Sequence, residues 1–147
     1  VSKDLVMNLD FAPTFLDYAG VDIPSEMQGQ SLRQINSSGT PTNWRDSVYY
    51  HYYEYPHGWH NVKRHYGIRT DRYKLIHFYE EDVNEWELYD LEKDPDELRS
   101  VFADPNYQDV VKEMKAELQR LRDQYQDDGN VVEFPKVPRP RAVRKKR

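Results

Sequence analysis

The chain has 147 residues, the size of one ordinary domain that can bury its own core. Hydrophobic residues account for 37% of the chain and charged residues for 32%, so we expect a modest core; 14% are aromatic, with twelve tyrosines. The absence of cysteine excludes disulfides, thiolate metal sites and a cysteine nucleophile within these residues. No apolar run reaches membrane-spanning length. Because the first residue is Val1 rather than Met, we interpret the chain as a fragment, and its start gives no information on secretion.

Charge is distributed unevenly along the chain. The formal net charge is −5, but residues 136–147 carry seven Lys or Arg and no acidic residue. Residues 1–135 therefore hold 14 basic and 26 acidic residues, a net charge of −12. An acidic body argues against a nucleic-acid-binding surface. The basic, proline-containing end is predicted to be disordered, with a weak polyanion-binding patch as the alternative.

The N-terminal residues predict a helix that ends at Gly20. Its apolar residues recur at helical spacing: Leu5, Val6, Leu9, Ala12, Leu16 and Ala19. Ser2 is the candidate N-cap, and Gly20 suits the left-handed position that ends many helices. Pro13 lies inside the pattern, so we expect a kink there or two short helices. Residues 37–41 are predicted to be a flexible connection that separates this helix from the rest of the chain.

Four strands are predicted in succession, at residues 48–53, 66–70, 73–79 and 86–91. They are rich in β-branched and aromatic residues. Asp71 and Arg72 form the polar break of a hairpin between the second and third strands, and an acidic loop at 80–85 separates the third from the fourth. Because the strands follow one another with short links, they are expected to form an antiparallel sheet.

The last ordered element is predicted to be an amphipathic helix over residues 105–125. Asp104 is the candidate N-cap, and Pro105 suits the first helical position. One apolar stripe runs along this helix, formed by Tyr107, Val111, Met114, Leu118, Leu121 and Tyr125. The sheet face that receives the stripe is expected to carry some of Leu75, Ile76, Leu88 and Phe78. The predicted fold class is therefore α+β: a four-stranded antiparallel sheet with a C-terminal amphipathic helix packed on it.

The candidate substrate-binding residues lie in the link between the first two predicted strands: His57, His60, Lys63, Arg64 and His65. Histidine can donate, accept or titrate beside a polar ligand, and Lys and Arg recognise anionic groups. One alternative is that these are solvated surface residues. Another is that the cations pair with nearby acidic residues, namely Glu54, Glu80 or Glu81.

Neither a metal site nor a catalytic group is predicted within the chain. The histidines of the link, together with His51, could supply imidazoles, but their spacing matches no closed zinc motif. Asp10 and Asp17 on the first helix are expected to be solvated helix-face carboxylates rather than acid or metal groups. No Ser-His-Asp arrangement, phosphate-cradling glycine loop or nucleophile motif is visible.

Four sequence blocks resemble the C-terminal part of the type I, formylglycine-dependent sulfatases of the alkaline phosphatase superfamily. The blocks are NLDFAPTFLDYAGV at 8–21, MQGQSL at 27–32, YGIRTDRYKLI at 66–76 and ELYDLEKDPDELRSV at 87–101. Four blocks in the right order form a specific match, although each alone would be weak. Residues 44–56 and 62–70 look closest to bacterial sulfatases that act on glycosaminoglycan sugars, such as the N-acetylglucosamine-6-O-sulfatase group. Ser100 departs from the family pattern, which usually has Asn there.

The resemblance implies that the formylglycine nucleophile and the ligands of a calcium ion belong to an N-terminal region that this chain does not contain. Residues 1–36 would then form the end of the catalytic domain, 37–129 the C-terminal subdomain, and 130–147 a disordered basic tail. In the family this subdomain abuts the catalytic domain and helps to wall the substrate pocket. The chain by itself is expected to be inactive.

The implied partners are a sulfated sugar substrate and the chain's own N-terminal catalytic domain, with no nucleic acid and no membrane. The implied location is periplasmic or secreted, and the contribution assigned to this chain is substrate recognition by residues 51–65. Two alternatives are a free-standing, non-enzymatic sheet-helix module that binds a partner through its aromatic surface, and a phosphatase-type relative of the same superfamily. A Cys/Ser-x-Pro-x-Arg motif upstream in the parent reading frame would favour the enzyme.

Overall fold

A four-stranded sheet is covered on one face by a long helix. The computed structural model describes residues 2–55 and 61–129. Its helices are α1 (Phe11–Ala19), α2 (Arg33–Ser38) and α3 (Gln108–Gln124), with short 3-10 helices at Asn8–Asp10 and Pro105–Tyr107. Its strands are β1 (Ser47–Tyr52), β2 (His65–Thr70), β3 (Tyr73–Glu80) and β4 (Val83–Asp90). Within the described ranges, no helix combines the length and apolar character needed to cross a membrane.

Each strand pairs antiparallel with the next, so the sheet order is β1-β2-β3-β4. The predicted hairpin around Asp71 and Arg72 is confirmed. Its turn is closed by Thr70, whose hydroxyl accepts a hydrogen bond from the Tyr73 amide at 2.9 Å. Arg72 ties the turn to the end of β4 through two bonds to the Asp90 carboxylate, at 3.1 and 2.9 Å. The Arg72 bonds hold the pKa of Asp90 at about 2.

The core lies between α3 and one face of the sheet. The register places one apolar residue from each strand side by side on that face, and we call this line the apolar row: Tyr49, Ile68, Leu75 and Leu88. Against it pack the buried residues of α3, namely Val111, Met114, Leu118 and Leu121. The predicted packing of the helix on the sheet is therefore confirmed, through Leu75 and Leu88. Ile76 and Phe78 lie on the other face because side chains alternate along β3.

Asp104 caps the entry to the last helical segment, as the sequence predicts, by accepting a hydrogen bond from the Asn106 amide at 2.9 Å. The chain just before it covers the free edge of β4, where the Val101 amide donates to the Leu88 carbonyl at 2.8 Å. The Ser100 hydroxyl accepts from the Leu88 amide at 3.1 Å. The residue that departs from the family pattern therefore helps to close this edge, which would otherwise expose unpaired backbone groups.

The predicted helix start at Ser2 is wrong, because α1 begins at Phe11. Pro13 falls in the first turn of α1, where backbone amides have no acceptor within the helix. A residue without an amide hydrogen is therefore tolerated there, and α1 continues through Pro13 without interruption. Gly20 ends the helix with a left-handed φ of 69°, as predicted.

Asp10 is fully buried, which corrects the expectation of a solvated carboxylate. It forms a two-pronged ion pair with Arg45 at 2.5 and 2.7 Å. It also accepts hydrogen bonds from the Met7 amide at 2.7 Å and the Gln30 amide at 2.9 Å. Burial alone would raise the pKa of Asp10, but these bonds hold it below its ordinary value. Asp10 is thus a structural anchor of the N-terminal segment.

Helix α2 is not predicted by the sequence pattern. It begins at Arg33, whose guanidinium binds the Asp17 carboxylate of α1 at 2.8 Å. Its last residues, Ser37 and Ser38, belong to the predicted flexible connection, so α2 spans the proposed boundary after residue 36. The division into domains stays a prediction, and the predicted basic tail at 130–147 lies outside the described residues.

Candidate functional site

A second line of side chains crosses the helix-covered face of the sheet beside the apolar row. We call it the ring row, and it consists of His51, Tyr66, His77 and Trp86. Each strand contributes one ring, two positions away from its residue in the apolar row, because side chains on one face recur every second residue. The ring row lies toward the end of the sheet where the β1–β2 loop and the β3–β4 turn leave. It therefore connects the core with the loop that carries the predicted substrate-binding residues.

His51 is held at both ring nitrogens, and its side chain is only 3% exposed. Nδ1 lies 2.6 Å from the Asp127 carboxylate, and Nε2 lies 2.7 Å from the Tyr79 hydroxyl. Because a carboxylate only accepts, Nδ1 carries the proton, and Nε2 of the neutral ring accepts from Tyr79. The Tyr49 hydroxyl also donates to Asp127. The His51 ring stacks on Tyr53 with centroids 3.7 Å apart.

This network combines a neutral imidazole with an ionised carboxylate. Burial lowers the pKa of His51 and outweighs the opposing hydrogen bond and charge of Asp127. Burial would raise the pKa of Asp127, but the bonds from Tyr49 and His51 hold it below its ordinary value. Burial raises the pKa of Tyr79 to about 12, so its hydroxyl keeps the proton that it donates. The network fastens the segment after α3 to β1 and β3, next to the loop.

His77 is also satisfied within the sheet face. Its ring stacks on Trp86 with centroids 4.0 Å apart. Nε2 lies 2.9 Å from the Asn84 side-chain oxygen and Nδ1 lies 2.7 Å from the Tyr66 hydroxyl, so Nε2 donates and Nδ1 accepts. Across residues 2–55 and 61–129, no three His, Asp or Glu side chains come together in a way that could hold a metal ion. We interpret the ring row as the support of the loop.

Lys63 fastens the β1–β2 loop to the β3–β4 turn. Its ammonium contacts the Asp82 carboxylate at 2.6 Å and the Tyr55 hydroxyl at 2.7 Å. Since a lysine ammonium has three donors, one is left for a further acceptor. Two of the five predicted site residues, His57 and His60, lie in the part of this loop outside the described residues.

Arg64 closes the base of the same loop. Its guanidinium donates to the backbone carbonyls of Tyr53 at 2.9 Å and Tyr55 at 2.7 Å. It also lies 3.6 Å from the Glu80 carboxylate. This ion pair is one of the charge pairings that the sequence leaves open as an alternative. Arg64 therefore shapes the loop through its backbone.

His65 lies on the opposite sheet face from the ring row. Its Nδ1 donates to the Lys63 carbonyl at 2.8 Å. The ring packs against Tyr52 and Phe78 with centroids 5.3 and 5.1 Å apart. These contacts orient the imidazole, while Nε2 has no hydrogen-bond partner among the described residues. An oriented ring whose second nitrogen is not bonded to a described residue is suited to bind a hydroxyl group or an anion.

The pairing of His51 with Asp127 could not be found from the sequence. The two residues are 76 positions apart, and Asp127 follows a helix that carries no sign of a site. In the sequence, His51 is only a further imidazole near the link. Its one local signal is its place in an aromatic strand.

The N-terminal segment exposes an apolar surface, which we call the α1 apolar face. Phe11, Phe15 and Tyr18 recur at helical spacing and are between 54% and 70% exposed. Val21, just after the helix, is also more than half exposed. An exposed apolar surface of this kind is typical of a contact with a protein, a membrane or a ligand.

The chain is similar in sequence and in structure to the C-terminal parts of known sulfatases. The profile of the family described as "N-sulphoglucosamine sulphohydrolase, C-terminal" matches residues 1–124. N-acetylglucosamine-6-O-sulfatase of Bacteroides thetaiotaomicron is 51% identical over 129 residues, which cover 86% of this chain and 23% of the relative. Delta 4,5-hexuronate-2-O-sulfatase of the same bacterium is 30% identical over 139 residues, covering 89% and 26%. The solved structure of BT4656 in complex with its substrate D-glucosamine-2-N,6-O-disulfate has a TM-score of 0.80 and 49% identity, covering 87% and 26%.

The chain spans about a quarter of the length of these relatives. The predicted α+β fold agrees with the sulfatase structure, and the resemblance carried by the four sequence blocks is confirmed. The chain belongs to the N-sulphoglucosamine sulphohydrolase C-terminal family, that is, to the C-terminal part of sulfatases.

Proposed function

We propose that this chain is the C-terminal part of an enzyme that hydrolyses sulfate esters of glycosaminoglycan-type sugars, with sulfated glucosamine as the substrate class. The observation that carries the proposal is the identity of half of the aligned residues with an N-acetylglucosamine-6-O-sulfatase over most of the chain. The match to BT4656, whose complex holds a disulfated glucosamine, supports the same class of sugar. The reaction would release inorganic sulfate and the free sugar hydroxyl.

The chemistry of bond cleavage is assigned to the part of the enzyme outside this chain. The described residues bring together no candidate metal site. On the basis of the family resemblance, the formylglycine nucleophile and the calcium ion are proposed to belong to the N-terminal catalytic domain. The α1 apolar face is proposed to pack against that domain, because Phe15 and its neighbours have no apolar cover within the described residues. A periplasmic or secreted location is proposed with this function.

Residues 51–65 are proposed to form one wall of the substrate pocket. Nε2 of His65, which has no partner among the described residues, would bind a sugar hydroxyl or a sulfate oxygen, since the Lys63 carbonyl already orients the ring. Lys63 would offer its remaining donor to an anionic group of the sugar. His57 and His60 are proposed as further contacts on the same loop. Arg64 is assigned a positioning role, because it binds backbone carbonyls.

The reaction is tested with the full-length parent enzyme. We expect it to release sulfate from N-acetylglucosamine 6-sulfate and to act far more slowly on the matching 6-phosphate. The isolated 147-residue chain is the control and should release no sulfate. Preferential release of phosphate would support the phosphatase alternative. If the chain alone turns over the substrate, and this activity persists through purification and chelation, the assignment of bond cleavage to the rest of the enzyme would be wrong.

The loop is tested by comparing three variants of the parent enzyme. His65→Ala and Lys63→Ala should lower kcat/KM for the sugar sulfate roughly ten- to a hundredfold, the usual loss for a hydrogen bond to a charged group. A small aryl sulfate should be affected less, because it lacks the sugar. Asp82→Asn is the matched control: it keeps the Lys63 charge and weakens only the bond between loop and turn. If Asp82→Asn and Lys63→Ala lose activity equally, Lys63 is only a structural contact.

A further inference from the structure

Where α3 crosses the ring row, helix and sheet line a half-open cavity of about 220 Å³, which we call the α3 cavity. Its lining residues are Tyr66, Trp86, Lys115, Leu118, Gln119 and Arg122. The sheet supplies two aromatic rings, and the helix supplies two cations. Lys115 and Arg122 are seven positions apart, close to two helical turns, so they project from the same side of α3.

Aromatic faces hold both cations in place. The Lys115 ammonium lies 4.1 Å from the centre of the Trp86 ring and 5.0 Å from that of Phe102. The Arg122 guanidinium lies 4.4 Å from the centre of the Tyr66 ring. A cation–π contact positions a charge without neutralising it. The two charges therefore stay available at the cavity.

The pairing pattern of the chain sets these two cations apart. The other cations that lie over an aromatic ring among the described residues each have a carboxylate within 4 Å: Arg33, Arg45, Lys63, Arg72 and Lys93. Within residues 2–55 and 61–129, neither Lys115 nor Arg122 has such a carboxylate. Arg122 also has a buried Nε without a hydrogen-bond partner there. Its Nη2 makes one long bond, 3.3 Å, to the Asp127 carbonyl.

The surroundings of the cavity are consistent with a local positive charge. Burial lowers the pKa of His77, and the charges of Lys115 and Arg122 lower it further, against the bond with Asn84. Among the described residues, the Asp123 carboxylate accepts from the Gln119 side-chain amide at 2.7 Å, and the charge of Asp127 acts on the lining residue Tyr66. The Asp123 bond occupies a Gln119 donor, and no carboxylate of the described residues lies within 4 Å of either cation.

We propose that the α3 cavity binds a sulfate group, either as inorganic sulfate or as the sulfate ester of a single sugar. Arg122 can donate to an oxyanion through its guanidinium, and Lys115 can act as a point charge. Binding would break no ion pair between these two cations and the described part of the chain. The cavity is smaller than the roughly 300–1,000 Å³ of pockets for drug-sized ligands, so it suits one charged group or one ring. The proposal does not depend on the proposed sulfatase activity, because direct binding tests it.

The experiment is a titration of the 147-residue chain with sodium sulfate and, separately, with glucosamine 6-sulfate, at an ionic strength held constant with sodium chloride. The Trp86 indole and the α3 amide resonances report binding by NMR. We expect saturable shifts at these positions. Lys115→Gln and Arg122→Gln should each weaken the affinity about tenfold or more, as expected for a lost hydrogen bond to a charged group. Arg122→Lys should retain part of it.

Lys112→Gln is the matched control, because it removes the same charge from an exposed position of the same helix. It should leave the affinity within about twofold. Competition between the two ligands for the same shifts would show that the shared sulfate group is recognised; binding of the sugar alone would assign the site to the ester. Shifts that do not saturate would overturn the proposal. So would an affinity that falls as much in Lys112→Gln as in Lys115→Gln and Arg122→Gln. If Arg122→Gln loses its folded spectrum, Lys115→Gln decides the result.

Discussion

Helices α1 and α3 both carry an apolar stripe, but the described residues cover only the stripe of α3. On α3, the exposed fraction is between 3% and 6% for Val111, Met114, Leu118 and Leu121, because these residues pack on the apolar row. On α1, Phe15 is 70% exposed, and Phe11 and Tyr18 are more than half exposed. The sheet and α3 thus form a core of their own. Helix α1 instead presents apolar side chains that remain exposed among the described residues.

The attachment of α1 to the rest of the chain is polar rather than apolar. The buried Asp10–Arg45 ion pair joins the start of the helix to the segment before β1. The Trp44 indole donates to the Leu5 carbonyl at 3.0 Å. The two regions should therefore respond differently to apolar and polar substitutions.

Leu118→Ala tests the α3 side of this comparison and should have the largest effect. Removing a buried leucine side chain from a packed core costs about 2–5 kcal/mol in the free energy of unfolding. Urea denaturation followed by circular dichroism measures this loss. A change below about 0.5 kcal/mol would mean that α3 does not close the core.

Asp10→Asn tests the polar attachment of the N-terminal segment. It would leave Arg45 without its charged partner, so we expect this segment to lose about 1–3 kcal/mol of local stability. Hydrogen exchange should show faster exchange around α1 and unchanged protection in the sheet. Asp17→Asn is the control and should change exchange little, since its pair with Arg33 is partly exposed. Global unfolding caused by Asp10→Asn would contradict the separation of the two regions.

The contribution of the Asp10–Arg45 pair to stability should depend on pH. The pKa of Asp10 in the folded chain lies below its ordinary value of 3.8. Its contribution to stability is therefore present above pH 3.8 and is lost as the pH falls through the folded pKa. Protection of α1 should decline in that acidic range, and Asp10→Asn should remove the decline that this group causes.

His51→Gln tests the junction between core and loop and should have a smaller, pH-dependent effect. The folded chain keeps His51 neutral, with a pKa below the ordinary value of 6.5. Stability should therefore be fully present above pH 6.5 and should decrease as the pH falls from there toward the folded pKa. Urea midpoints between about pH 7.5 and 5 measure this slope. The urea midpoint of the variant should change less with pH than that of the native chain. An identical dependence would show that the titration of His51 does not contribute to stability.

Phe15→Ala should have the smallest effect in the isolated chain, within about 0.5 kcal/mol, because its side chain contributes little buried surface there. In the full-length parent the same substitution should cost about 3–5 kcal/mol, as for a phenylalanine lost from a packed interface. Paired urea titrations of the two proteins give the comparison. Equal effects in both would mean that the α1 apolar face stays uncovered in the parent.

Much of the architecture could be predicted from the sequence because it depends on neighbours in the chain. The polar break at Asp71 and Arg72 defines the hairpin, and the spacing of Val111, Met114 and Leu118 defines the packed side of α3. Gly20 and Asp104 mark helix ends by local backbone geometry and hydrogen bonding. The four sequence blocks likewise identify the sulfatase family, because each block is a run of adjacent residues.

The candidate site could be predicted only in outline. The sequence identified the cations of the β1–β2 loop, but not that Lys63 binds Asp82 or that Arg64 binds the backbone of its own loop. For His65, it could not show which ring nitrogen is occupied. These distinctions depend on which groups lie within about 3 Å in space, and a list of residues contains no such distances.

Composition and periodicity by themselves determined the class of fold, the helix-covered sheet and the region in which to look for a site. Only the tertiary structure decided that Asp10 is buried, that His51 meets Asp127, and that the apolar surface of α1 has no cover among the described residues. Burial and charge pairing are set by residues distant in sequence, whereas turns and helix stripes are set by residues a few positions apart. Because burial depends on residues far apart in the sequence, a local sequence pattern cannot distinguish an exposed carboxylate from a buried, ion-paired one.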